Sequence, residues 1–90
     1  MNVKFFATYR AIVEQGSINI PAPCDVLGLL ELMEDRYPAF RGLLINTDHT
    51  DKGPDVIVLV NGRHIEHLDG VHTKLSEQDY VALTPLVAGG

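Results

Sequence analysis

The chain has one cysteine, Cys24, which excludes an intramolecular disulfide, a zinc site built on several cysteines and a four-cysteine iron–sulfur cluster. Nothing around Cys24 marks it as a nucleophile, so it reads as a small apolar or incidental residue. No apolar run approaches the ~20 residues of a membrane span. The start, Met1-Asn2-Val3-Lys4-Phe5-Phe6, lacks the basic region, long apolar stretch and cleavage site of a signal peptide. The expectation is a cytoplasmic protein with no membrane association. Basic residues are also scarce: seven lysines and arginines against twelve acidic residues give a net charge of −5. That balance argues against nucleic-acid binding and suits a protein partner with a positive docking face.

The sequence contains no serine–histidine–aspartate arrangement, phosphate loop or paired-carboxylate site, so unaided catalysis is not expected. His64, His67 and His72 are close in sequence, but their spacing crosses a turn and reads as surface or turn histidines. Asp48, Asp51 and Asp55 surround Gly53-Pro54 without calcium-loop spacing and read as solvated loop charge. No metal site is expected.

What remains is an ordinary small domain of 90 residues, 46% hydrophobic and 21% charged. Val3 to Tyr9 alternates and is aromatic-rich, which predicts an opening strand with Val3, Phe5 and Ala7 on one face and Lys4, Phe6 and Thr8 on the other. Gly16 allows a turn, and Ser17-Ile18-Asn19-Ile20 returns as the second arm of a hairpin ended by Pro21 and Pro23. Asp25 is a candidate N-cap for a helix whose apolar stripe is Val26, Leu29, Leu30, Met33 and Tyr37. Glu31, Glu34, Asp35 and Arg36 fill its solvent side, and Pro38 stops it. Gly28 inside this helix suggests close approach of helix and sheet. Residues 41–54 read as loop, with a short strand or turn at Leu43-Leu44-Ile45.

The uninterrupted Val56–Val60 run predicts a strand covered on both faces, and Asn61-Gly62 predicts a hairpin returning through Arg63-His64-Ile65. Leu75 reads as a core plug ahead of a last strand from Tyr80. The order is ββαββ plus a terminal strand, an α+β layout in which one main helix covers one sheet face. In the last strand Val81 and Leu83 point inward, leaving Tyr80, Ala82 and Thr84 outward. Phe6, Ala82 and part of the Val56–Val60 strand then form an uncovered apolar face, read as a docking patch. The sequence closes with Val87-Ala88-Gly89-Gly90. Two residues without Cβ make a narrow peptide that can enter a tight slot and present a terminal carboxylate to another protein's active site.

Several segments together resemble one family. They are Val3-Lys4-Phe5-Phe6-Ala7 with Arg10, Asp25-Val26 with Leu29-Leu30, and Val58-Leu59-Val60-Asn61-Gly62. Leu68-Asp69-Gly70, Thr73, Leu75 and Asp79 follow, then Val81-Ala82-Leu83 with Pro85, Val87, Gly89 and Gly90. Nearly the whole chain thus resembles the MoaD/ThiS family of sulfur-carrier proteins, with the molybdopterin synthase small subunit as the nearest type. The chain departs from the family at Gln78, where glycine is usual, and at Thr84, where an aromatic residue is frequent.

The resemblance implies the ubiquitin-like β-grasp fold, a mixed sheet of about five strands with one main helix on one face. Residues 1–86 would form the domain and 87–90 a flexible tail, reaching about 17 Å from Leu86 when extended. It further implies that a ubiquitin-activating-type adenylyltransferase spends ATP on the Gly90 carboxylate, which becomes a thiocarboxylate; the carrier itself binds no cofactor and is not an enzyme. The implied partner surface is Phe6, Arg10, Ala82, Thr84, Pro85 and Leu86, and the implied recipient of the tail is the molybdopterin synthase large subunit. Alternatives are a modifier joined through Gly90 to target lysines, a sulfur carrier for thiamine or cysteine biosynthesis, or a β-grasp binding module with an incidental Gly-Gly end.

Overall fold

Alternation places Val3 and Phe5 on one face of the first strand, and both are buried there. The computed structural model describes residues 1–86. The elements run β1 (Asn2–Phe5), α1 (Ala7–Val13), β2 (Ser17–Asn19), α2 (Val26–Arg36), β3 (Val56–Val60), β4 (Arg63–His64) and β5 (Tyr80–Pro85). Short 3₁₀ turns occur at Pro38–Phe40, Ile65–His67 and Gly70–His72. The strands form one sheet in the order β2-β1-β5-β3-β4, in which only β1 and β5 pair parallel. This is the mixed five-stranded β-grasp arrangement, with α2 packed on one face.

The inner face presents Val3, Phe5, Val56, Val58, Val60, Val81 and Leu83. Against it lie Val26, Leu29, Leu30 and Met33 of α2, all fully buried, each worth about 1.5–3 kcal/mol of apolar burial. Asp25 caps α2 as its residue type dictates: its Oδ1 accepts the Gly28 N–H at 2.9 Å. Gly28 therefore faces its own cap rather than the sheet; a Cβ there would sit 3.3 Å from Asp25 Oδ1.

The opening strand is shorter than its alternation predicts. Phe6 still donates its N–H to Leu83 O at 3.1 Å, but Ala7 turns to φ 53° and α1 follows. Tyr9 and Val13, one helical turn apart, bury themselves in the same core, and Tyr9 meets Phe40 edge-on at 5.3 Å. The antiparallel β1–β2 pairing still forms, around α1 rather than a tight turn, with Val3 opposite Ile18.

The solvent side of α2 also differs from expectation. Glu34 is only 9% exposed, and its Oε2 accepts the N–H groups of Leu44 (3.0 Å) and Ile45 (3.1 Å). The 41–54 segment folds against this side of the helix. Leu44 and Ile45 enter the core, Ile45 bridges Lys52, and Gly53 donates to Leu44 O at 2.8 Å. The Asn61-Gly62 turn forms as predicted, both residues having positive φ (53° and 83°). Ile65, however, leaves the strand for a 3₁₀ turn, with His64 Nδ1 accepting the Glu66 N–H at 3.2 Å. Leu75 packs half-buried against the core. No helix among the described residues is long and apolar enough to cross a membrane.

Candidate carrier surface and tail

β3 is covered on one face only. Val56, Val58 and Val60 are buried, whereas Ile57 and Leu59 are half-buried on the other side. Neither helix covers that outer face. Register then sets what it displays. Thr84 lies beside Ile57, with Phe6 in the next position after the Phe5–Leu83 pair. One row further along, Lys4, Ala82, Leu59 and His64 stand side by side across four strands. Phe6 is 46% exposed and Leu86 58%, so two large apolar side chains flank the end of β5.

Phe6, Ala82, Thr84 and Leu86 share the outer face by parity. Ala82 is only 2% exposed, because a methyl group between the longer Lys4 and Leu59 side chains sits at the bottom of the face. It can floor a contact but contributes little area. Pro85 has the opposite parity: it pairs with buried Val56 and is half-buried toward the core edge. Arg10 lies on the exposed side of α1, one turn after Phe6, with its guanidinium against Gly16. Among the described residues it forms no ion pair. Val87, Ala88, Gly89 and Gly90, which carry the tail reading, lie outside the described residues.

Two clamps fix the strand that leads to the tail. At its start the Asn61 amide donates to Asp79 Oδ1 (2.9 Å) and accepts the Tyr80 N–H (2.9 Å), while the Asn61 N–H donates to Tyr80 O (2.8 Å). At its end Leu86 donates to Asp55 O at 2.6 Å, one residue beyond the strand proper. The Asn61 contact, followed by the Ser76 N–H, holds the Asp79 carboxyl below its usual range. Gln78 lies in the 76–79 turn, in which Asp79 donates to Ser76 O at 3.0 Å, and its φ is not positive. A glycine is therefore not required where this sequence departs from the family.

Charge is segregated. None of the twelve Asp and Glu residues falls in any of the five strands. The outer face carries Lys4 instead, so an acidic molecule presents a face without strand carboxylates. The expectation of a positively charged partner surface suits the rest of the molecule, not this face.

The remaining candidates do not assemble. His64 and His67 have ring centroids 6.3 Å apart, and among the described residues no three His, Cys, Asp or Glu side chains are placed to hold an ion. Cys24 is exposed, with Lys74 Nζ 3.8 Å from its sulfur. An open hollow beside α2 is lined by Glu34, Ile45, Asn46 and His49. Sequence reasoning missed both the loop-holding role of Glu34 and the isolation of Lys4. The latter was visible in part, since alternation already set Lys4 on the outer face.

The ThiS family model matches residues 3–90. The small archaeal modifier protein 3 of Haloferax volcanii is 39% identical over all of this chain and 98% of its own length. The solution structure of the small archaeal modifier protein 1 of Methanosarcina acetivorans superposes with a TM-score of 0.83 at 28% identity, covering 99% of this chain and 94% of that one. A Pyrococcus furiosus protein assigned as molybdopterin converting factor subunit 1 superposes with a TM-score of 0.69 at 27% identity, covering 96% and 95% of the two chains.

Proposed function

The chain belongs to the ThiS family of ubiquitin-like proteins, and on that footing we propose that it is a sulfur carrier acting through the carboxylate of Gly90. A carboxylate resists nucleophiles because it is negatively charged and would have to expel oxide. Adenylation removes both obstacles: the carboxylate attacks the α-phosphorus of ATP, pyrophosphate leaves, and the acyl carbon gains AMP as a leaving group. A persulfide then attacks that carbon and expels AMP, and a thiol cleaves the resulting S–S bond to release the thiocarboxylate. The chain supplies no catalytic group. It is the substrate of a cytoplasmic adenylyltransferase, which uses the ATP.

The observation that carries this reading is the family match running through Gly90, behind a strand clamped at both Asn61 and Leu86. The outer face with Phe6, Thr84 and Leu86 serves as the docking surface, with Arg10 at its margin. Docking makes the transfer local rather than bimolecular. The likeness to the Pyrococcus furiosus protein favours the molybdopterin synthase large subunit as recipient of the sulfur.

A second reading has its own support. The Haloferax volcanii relative, alike over its whole length, is a modifier protein. In that reading a lysine amine attacks the same acyl adenylate and gives an isopeptide bond. Pyrophosphate exchange into ATP by the host adenylyltransferase tests the step common to both. It should require this chain and fail when Gly89-Gly90 is deleted. Exchange that survives the deletion refutes the assignment of Gly90. Blots of tagged protein from cells then separate the two fates: higher-mass conjugates mark the modifier, and their absence with thiocarboxylate present marks the carrier.

A further inference from the structure

Lys4 is the one lysine or arginine on the outer face of the sheet. It stands between Ala82 on β5 and Ser17 on β2, is exposed, and pairs with no carboxylate among the described residues. The other described cations lie off the strands of that face. Arg10 stands on α1 at its margin, against Gly16, Arg36 ends α2 over the Tyr37 ring, and Arg41 follows the Pro38–Phe40 turn. Lys52 lies 3.8 Å from Glu66, Lys74 sits by Cys24 beyond the sheet, and Arg63 has the opposite parity to His64 at the β4 edge. The flanking carboxylates are engaged or distant along the strand. Asp79 is taken by Asn61 and the Ser76 N–H, and Asp55 lies beside Leu86, four residues before the Leu59 that shares a row with Lys4.

A strand residue facing water on an apolar face needs no charge for folding. A lone cation there instead discriminates between partners, because an interface that desolvates it must offer an opposite charge. We propose that Lys4 sets partner specificity on this face: the adenylyltransferase surface that docks here is apolar where it meets Phe6, Ile57, Leu59 and Leu86, and bears a carboxylate opposite Lys4. This rests on the carrier reading above and adds the partner's chemistry to it. The partner's acidic spot is the complement of this face, although the chain as a whole carries −5.

The test is the affinity of the full chain for the host adenylyltransferase, measured by calorimetry at two salt concentrations. Lys4→Glu should weaken binding at least about tenfold, Lys4→Ala a few-fold, and Lys4→Arg little. The wild-type advantage over Lys4→Ala should shrink at high salt. Lys74→Glu, an equal charge change away from the face, should bind as wild type. Thermal melts establish that each variant is folded, and Lys4→Ala, with Lys4→Arg as its charge-keeping control, carries the test if Lys4→Glu is not. A glutamate-to-lysine or aspartate-to-lysine change on the enzyme that restores Lys4→Glu binding identifies the opposing carboxylate. If wild-type chain is adenylated and Lys4→Glu binds equally well, this inference alone falls. If wild-type chain is not adenylated, the carrier reading falls and takes it along.

Discussion

Replacing Glu34 with alanine removes the one acceptor shared by the N–H groups of Leu44 and Ile45, at 3.0 and 3.1 Å. Both residues are buried, and each stranded N–H costs roughly 1–3 kcal/mol. The open hollow lined by Glu34 and Ile45 lets water reach the vacated position and recover part of that. Alanine's better helix propensity offsets a few tenths of a kcal/mol. The expected loss is therefore about 2–4 kcal/mol. For a domain of this size that lowers Tm by roughly 10–25 °C. Glu34→Gln keeps a neutral carbonyl acceptor and should lose only about 1 kcal/mol. Urea unfolding of the three proteins, with equal slopes, measures the differences. A loss below about 0.5 kcal/mol for Glu34→Ala would refute the view that this carboxylate holds the 41–54 segment on the helix.

Gly53→Ala should cost about 1–3 kcal/mol, because a Cβ at Gly53 would lie 2.7 Å from the Leu43 carbonyl oxygen; an unchanged melt would show that the segment gives way easily. The Asp79 carboxyl is lowered by the Asn61 amide first, so its contribution is present above the ordinary carboxylate range and is lost as pH falls through the lowered folded value. Stability measured from about pH 5 downward should thus fall less steeply in Asp79→Asn than in wild type. Phe6→Ala should weaken adenylyltransferase binding several-fold while shifting stability by no more than about 1 kcal/mol, since nearly half of Phe6 is exposed; the reverse pattern would make Phe6 a core residue.

The parts of the fold that were legible carry their signal in side chains. α2 announced itself through Asp25, the stripe Val26-Leu29-Leu30-Met33 and the stop at Pro38. The β3–β4 turn did so through Asn61-Gly62, the pair most tolerant of the positive φ both adopt. α1 was hidden because seven residues show only one buried pair, Tyr9 and Val13, while Phe5-Phe6 prolongs a strand pattern across its start. Glu34 was hidden because its partners are backbone amides ten and eleven residues away, which no residue type reports. At the surface, alternation placed Lys4, Phe6, Ala82 and Thr84 correctly. It could not show that Ala82 lies sunk between Lys4 and Leu59, a matter of neighbouring side-chain length across three strands.

The central claim concerns Gly90, and the intact mass of the full chain tests it most directly. After incubation with the host adenylyltransferase, ATP, a persulfide donor and a thiol, the chain should gain the mass of one oxygen replaced by sulfur, located on the C-terminal peptide. An unchanged mass, with an enzyme that thiolates its other carriers, would contradict it.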